Sequence, residues 1–360
     1  MPRGRGTPLS QYDASNIALL KPSALGDIVH SLPVLSALRR RFPRARITWV
    51  VNRAYEPLLQ GHPDLDETLA FDRGASRKGW IATATSHARF GALLRQKRFD
   101  LVIDLQGLLR SGLMAKATGA RRRVGLSCSR EGASWFYTDV VDIPGGLGGM
   151  HAVDRYWRVA EAFGVGAGAK RFTVPVSDTA RRRADELLRG CARPWLAFAV
   201  GSRWQTKRWR TGHFAALARR AQSKFGGTAV FVGTADEAEL AAEVRSELTG
   251  PALDLSGRTT LPELAAVLER CDVMVANDTG PLHMAAALGR PVVAPYTCTR
   301  ARLTGPFGSA GAVETAVWCA GSELRRCSRM ECMDELTPDR LWPPLVQVLT
   351  TWQTQRAESA

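Results

Sequence analysis

Four loops in this chain carry side chains suited to holding or transferring an anionic group: KPSALGD at 21–27, GSRWQTKRW at 201–209, GTADE at 233–237 and NDTGPLH at 277–283. The last is the most informative. The run 272–276 is apolar and β-branched, as in a buried strand, and 281–288 has helical spacing, so the polar residues join a strand to a helix. Pro281 suits a first helical turn, because its missing N–H would have had no partner within the helix. Thr279 and Gly280 then present free backbone N–H groups at the positive end of a helix dipole, where an anion can bind. An ordinary strand-to-helix turn with Asp278 or Thr279 as N-cap accounts for the same residues. His283, one helical step on, can donate an imidazole N–H to a phosphate.

In the second loop, Lys207 with Arg203, Arg208 and Arg210 can neutralise a diphosphate, while Ser202 and Thr206 can donate hydroxyl hydrogen bonds. A solvated basic loop is the bland alternative. Glu237 follows a strand, where an acidic side chain can accept from ribose hydroxyls, or simply favours the dipole of the next helix. Asp27 is placed to cap a helix and equally to act as a general base on an attacking hydroxyl. Both roles can hold at once. Of the other histidines, His30 and His151 stand out, although a lone histidine on a helix is more often structural.

Several chemistries are missing from the sequence. No GxGxxG or GxxxxGK[ST] occupies these loops, which argues against a dinucleotide dehydrogenase or P-loop enzyme. GxSxG, HExxH and carboxylates at metal-ligand spacing are absent too. Cys319, Cys327 and Cys332 cluster near the C-terminus, but they lack CxxC pairing and a nearby histidine, so reduced thiols are expected. Neither a metal nor a cofactor is anticipated.

The elements that must position these loops alternate. Strands are expected at 17–20, 46–51, 101–105, 195–200, 228–232 and 273–276, with helices at 28–41, 211–225, 235–248 and 261–270. A chain of 360 residues exceeds one typical core, so two domains of about 170 residues are expected. The glycine-rich segment 164–178, which contains Pro175, is the preferred linker. The predicted organisation is a polar leader at 1–16, an N-terminal Rossmann-like domain at 17–170, a C-terminal Rossmann-like domain at 171–340 and a C-terminal segment at 341–360. The fold class is α/β, two doubly wound domains facing across a cleft.

Lysine and arginine number 49 against 34 acidic residues, a net charge of +15. Such a field attracts polyanions, whether nucleic acid, an anionic membrane or a phosphorylated substrate. No zinc-finger spacing, RNP aromatic signature or basic heptad region accompanies it, so nucleic acid is not the expected partner. Seven scattered cysteines fit a reducing cytoplasm. The basic N-terminus lacks the apolar stretch of a signal peptide, and no run approaches the roughly 18 apolar residues of a spanning helix. Membrane association is therefore expected to be peripheral.

Taken in order, LLKPSALGDIVHSLPVLSAL, WVVNRAYEPLL, FDLVIDLQGLLRSGL, GSRWQTKRW and NDTGPLHMAAALGRPVVAPY resemble glycosyltransferase family 9, the lipopolysaccharide heptosyltransferases. The resemblance spans most of residues 17–310 and is nearest to the heptosyltransferase I branch. It implies a GT-B fold, with the acceptor on the N-terminal domain and the nucleotide sugar on the C-terminal domain. It also implies inverting, metal-independent transfer of L-glycero-D-manno-heptose from ADP-heptose to the Kdo region of lipid A, at the cytoplasmic face of the inner membrane. By the same resemblance Asp27 is the general base and Lys207 contacts the donor phosphate. Ser202 and Arg203 stand where the family has two threonines near the phosphates. Glu237 lies near the nucleoside, Thr259 lines the adenine pocket, and Asp278, Thr279, Gly280 and His283 match the donor element DTGxxH. Arg73, Arg77 and Lys78, with Gln106, Arg110 and Arg130, are acceptor candidates, though basic surface residues also pack by their aliphatic stems. The alternatives are addition of the second heptose or another nucleotide-linked sugar, and a non-catalytic binder of nucleotide sugar or anionic lipid.

Overall fold

The computed structural model describes residues 7–72 and 80–358, with the backbone alone at 80–84. The chain divides into two compact units, Met1–Pro175 and Val176–Ala360, and the division falls inside the glycine-rich segment 164–178.

The first unit runs β1 (Asn16–Leu20), α1 (Leu25–Arg41), β2 (Arg46–Asn52), β3 (Glu67–Phe71), α2 (Trp80–Gln96), β4 (Leu101–Asp104), α3 (Leu109–Ala117), β5 (Arg122–Leu126), β6 (Asp139–Val141) and α4 (Ala152–Ala162). Its six strands are parallel and lie in the order β3-β2-β1-β4-β5-β6. Ile17, Leu19, Leu101, Val102 and Ile103 are wholly buried. This is the continuous apolar signature of strands covered on both faces.

The second unit begins with α5 (Asp178–Leu187), then β7 (Trp195–Ala199), α6 (Thr211–Phe225), β8 (Thr228–Phe231), α7 (Ala238–Ser246), β9 (Ala252–Asp254), α8 (Leu261–Arg270) and β10 (Val273–Ala276). It continues with α9 (Gly280–Ala287), β11 (Val292–Tyr296), α10 (Ala301–Thr304), β12 (Ala312–Glu314), α11 (Glu331–Glu335) and α12 (Pro338–Glu358). The sheet order β12-β11-β10-β7-β8-β9, again parallel, repeats the topology of the first unit.

In both sheets the direction of winding reverses between the two central strands, β1 and β4 in one, β7 and β10 in the other. Loops leaving the carboxyl ends of such a pair splay apart and leave a crevice, which is where doubly wound sheets bind ligands. Asp27 follows β1, Gln106 follows β4, Lys207 follows β7 and Asp278 follows β10. The fold thus delivers the candidate residues to its two switch points.

Two local differences from the sequence reading have plain causes. The expected helix at 235–248 opens as a separate 3-10 turn, Ala235–Glu237, because the Glu237 carboxylate folds back to accept from the Thr234 N–H at 2.9 Å. Residues 341–358, read as part of a segment of their own, lie inside α12. Leu341, Leu345 and Leu349, spaced four apart on one helix face, enter the core of the second unit beside Phe225 and Met333. Each such leucine contributes about 1.5–3 kcal/mol of burial.

Candidate active site

At the switch point of the first unit, Asp27 sits in the first turn of α1. One carboxylate oxygen, Oδ2, accepts from the Ala24 N–H at 3.1 Å, which is the capping role. The other, Oδ1, accepts from the Tyr156 hydroxyl at 3.2 Å and lies 3.7 Å from the Lys21 ammonium. Lys21 is 2% exposed, whereas the Asp27 side chain is 42% exposed. The carboxylate therefore has a buried, cationic back and an open front. Lys21 Nζ also donates to the Tyr156 oxygen at 2.8 Å and to the Leu105 carbonyl at 3.2 Å. Burial opposes its charge, but Asp27 and Tyr156 outweigh that opposition and raise its pKa above the ordinary lysine value.

Gln106 reaches across this switch point, its Oε1 accepting from the Ser23 N–H at 3.4 Å. Buried Asp104 fixes the same turn by accepting from the N–H groups of Gln106 and Gly107 and from the Tyr137 hydroxyl. Burial raises the Asp104 pKa. Arg110 and Arg130 are exposed nearby, on the first turn of α3 and in the loop after β5. Arg73, Arg77 and Lys78 lie outside the described residues. His30 and His151 pack edge to face with ring centroids 5.3 Å apart, and His151 caps α4 through Nδ1.

At the switch point of the second unit, Asp278 is a buried hub. Its Oδ2 receives Lys207 Nζ at 2.5 Å and the Thr299 hydroxyl at 2.8 Å, and its Oδ1 meets the Tyr296 hydroxyl at 3.1 Å and His283 Nε2 at 3.2 Å. Burial alone would raise the Asp278 pKa. The hydrogen bond from His283 and the Lys207 charge win instead and hold the carboxyl well below the usual carboxylate range. Tyr296 is driven the other way, by burial and then by facing Asp278. An ammonium has three donors, so Lys207 can bind Asp278 and still offer protons to a ligand.

Asn277 holds the rest of the loop in register. Its amide donates to the carbonyls of Val200 and Gly201, and its oxygen accepts from the Trp209 N–H at 2.9 Å. Immediately beyond, Thr279 is the N-cap residue of α9 with no side-chain cap bond, and its buried hydroxyl has no partner within the protein. Gly280 opens the helix. Unsatisfied amides, the dipole and a spare hydroxyl thus converge beside a fixed lysine, which is the equipment of a phosphate site.

Around it, Ser202 is buried and its carbonyl accepts from Arg208 Nε at 2.5 Å, while Arg203 is exposed. Glu237 crowds Gly201 and Gly233, and a Cβ at Gly201 would come within 2.1 Å of its carboxylate. Glu237 is thus brought beside the ends of β7 and β8. Thr259 is half-buried between β9 and α8, next to the Thr260 cap. The seven cysteines are free thiols. Burial and then the neighbouring thiols Cys319 and Cys327 push Cys332 up to about 11. Among the described residues no group of three or more His, Cys, Asp or Glu could hold a metal ion.

Sequence reasoning missed Lys21, Tyr156, Tyr296 and Thr299 as site residues. Lys21 was visible as the first residue of the KPSALGD loop. Tyr296 closes the run NDTGPLHMAAALGRPVVAPY without standing out in it, and Tyr156 and Thr299 carry no local motif; all three reach the site only through the fold.

Solved structures share this architecture. A glycosyl transferase family 9 protein from Veillonella parvula superposes with a TM-score of 0.80 at 23% identity, over 94% of this chain and 98% of that one. The Escherichia coli heptosyltransferase WaaC with ADP gives 0.70 at 23% identity, over 92% of this chain and 99% of that one. Two Rossmann-like units of matching topology, each with its polar loops at the switch point, make up the GT-B fold. Residues 87–334 match the profile of glycosyltransferase family 9 (heptosyltransferase). Lipopolysaccharide heptosyltransferase 1 of Pseudomonas aeruginosa is 30% identical over 299 residues, covering 81% of each chain. The chain belongs to glycosyltransferase family 9, the heptosyltransferases.

Proposed function

We propose that the enzyme transfers L-glycero-D-manno-heptose from ADP-heptose to the Kdo region of lipid A in lipopolysaccharide core assembly, at the cytoplasmic face of the inner membrane. The similarity to a lipopolysaccharide heptosyltransferase and to a heptosyltransferase solved with ADP supports a heptosyl donor and a lipopolysaccharide acceptor. The site supplies the chemistry. The acceptor binds on the first unit, with Gln106, Arg110 and Arg130, and Arg73, Arg77 and Lys78 of the sequence, as its candidate contacts. Asp27 removes the proton of the attacking hydroxyl as its oxygen bonds to the anomeric carbon, and the bond from that carbon to the ADP oxygen breaks. Attack from the face opposite the leaving group inverts the configuration.

Tyr156 and Lys21 hold the Asp27 carboxylate from behind, leaving its open face for the hydroxyl. In general acid–base catalysis a positioned carboxylate is worth about 10²–10⁴ in rate. On the second unit Lys207, Thr279 and the first N–H groups of α9 bind the diphosphate and stabilise the charge that develops on ADP. Ser202, Arg203 and His283 lie about the same phosphates, and Glu237 and Thr259 about the nucleoside. The reaction draws on these protein groups without a metal.

The observation that carries this reading is Lys207 anchored on buried Asp278 directly before an uncapped helix start that holds a spare hydroxyl. The test is transfer to Kdo2-lipid A from ADP-heptose beside ADP-mannose, with an already heptosylated acceptor run in parallel. Product from ADP-heptose on the unheptosylated acceptor is expected. Activity confined to the heptosylated acceptor would assign the second heptose instead, and activity confined to ADP-mannose would overturn the donor.

A further inference from the structure

We propose that the rim of the first unit formed by α3 and the 3-10 turn Ala133–Phe136 is a docking surface for an anionic phospholipid bilayer. The proposal deepens the lipid-linked acceptor reading above and rests on it. Trp135 is 81% exposed, Leu113 49% and Leu109 41%. Large apolar side chains so open to water carry a solvation cost that a monomer in bulk water does not recover.

They belong to one patch. On α3, residues 109, 112, 113 and 116 share a face by helical spacing. Gly112 lies so close to the turn that a Cβ there would meet Phe136 at 2.8 Å, and Lys116 Nζ stands 5.7 Å from the Phe136 ring. The leucines therefore flank the seam against the turn that carries Trp135. Exposed Arg110 and Lys116 lie on the same helix and exposed Arg130 in the loop that leads into the turn, beside Glu131, whose carboxylate is occupied by the Leu109 N–H at 3.2 Å. A tryptophan and two leucines accompanied by cations match a bilayer interface, where the indole sits at headgroup depth and the cations meet phosphates. A protein groove would complement the leucines but would leave the cations without a use. The patch also adjoins the loop after β4 that holds Gln106, on the rim that bears Asp27. Docking here sets the site over the headgroup layer, where a lipid-anchored acceptor is presented.

The experiment is flotation of the full chain, without acceptor, on vesicles of phosphatidylcholine alone and on vesicles mixed with phosphatidylglycerol. Binding only to the mixed vesicles is expected, weakening as salt rises. Trp135→Ser combined with Leu113→Ser should weaken it about tenfold or more, while ADP affinity and thermal stability stay as in the wild type. Lys116→Glu should weaken the salt-sensitive part. Transfer to acceptor embedded in vesicles should fall with binding in the double variant, and transfer to a delipidated Kdo saccharide should not. Vesicle binding by wild type with no transfer from any ADP-sugar would defeat the functional reading and leave the surface standing. Wild type that ignores anionic vesicles, or a double variant that binds them unchanged, would overturn the surface. So would a variant whose only change is the loss of a dimer in sedimentation.

Discussion

Replacing Asp278 by Asn removes the charge at the centre of the donor-site hub and keeps its size. In the wild type Lys207, His283, Tyr296 and Thr299 all converge on that carboxylate, whose side chain is 5% exposed. Asn presents two N–H donors and one acceptor, so at least one existing donor faces another donor, and the Lys207 ammonium, 17% exposed, loses its counter-charge. Removing one partner of a buried pair costs about 3–5 kcal/mol; partial access of Lys207 to water favours the lower end, about 3 kcal/mol. At about 2–4 °C per kcal/mol for a domain of this size, the second unit should melt about 6–12 °C lower. Lys207→Met is the instructive contrast. Asp278 then keeps three donors, so less than half of that stability should go, while ADP affinity should fall about tenfold or more through loss of a charge-assisted phosphate bond worth about 1.5–3 kcal/mol. Calorimetric unfolding and ADP titration of both variants read these quantities. Asp278→Asn melting within a degree of wild type, or Lys207→Met losing the greater stability with ADP affinity intact, would refute the hub.

Tyr156→Phe should lower kcat about tenfold with ADP affinity unchanged, since it frees the back of Asp27 without touching the donor unit; a change in ADP affinity alone would count against that division. The two ion pairs differ in their pH windows. Asp278 titrates below its unfolded value in the folded state, so its stabilisation is complete above about 3.8 and disappears as pH falls from there toward the folded value. Lys21 is raised, so its stabilisation is complete below about 10.5 and is lost as pH rises through the folded value. Unfolding free energy followed across both windows should show a shallower acid slope in Asp278→Asn, where Asp66 and Glu67 still contribute, and a shallower alkaline slope in Lys21→Met. Leu345→Ala on α12 should cost about 2–5 kcal/mol by denaturant unfolding, and a loss under 1 kcal/mol would show that α12 is not part of the second core.

Sequence patterning carried the central strands and their loops well, because those features are local. The apolar run VMVA before NDTGP announces β10 and the start of α9, and the amphipathic run 211–225 coincides with α6. Edge strands were silent for the opposite reason. β6, β9 and β12 are three residues each, too short to show a period. β5 opens on Arg122 and Arg123, whose guanidinium groups donate to Asp139 and the Phe136 carbonyl further along the chain, and to the Thr7 and Ala120 carbonyls before it. α12 contains Pro343 and Pro344, residues that ordinarily break a helix interior by removing donors. The site divides the same way. Asp27, Lys207 and Asp278 stand in legible turns, whereas Lys21 reads as an ordinary loop cation until α4 brings Tyr156 to it across 135 positions. Tyr296 reaches Asp278 from the end of the next strand and Thr299 from the loop after it, 18 and 21 residues on.

The central claim is that the half-exposed carboxylate of Asp27 takes the acceptor proton during heptosyl transfer. Single-turnover transfer from ADP-heptose to Kdo2-lipid A, with ADP affinity measured on the same samples, tests it most directly in wild type and Asp27→Asn. The account predicts that the variant binds ADP as the wild type does and transfers at least about 10²-fold more slowly, with no recovery on raising donor concentration. Transfer at the wild-type rate by Asp27→Asn would contradict it.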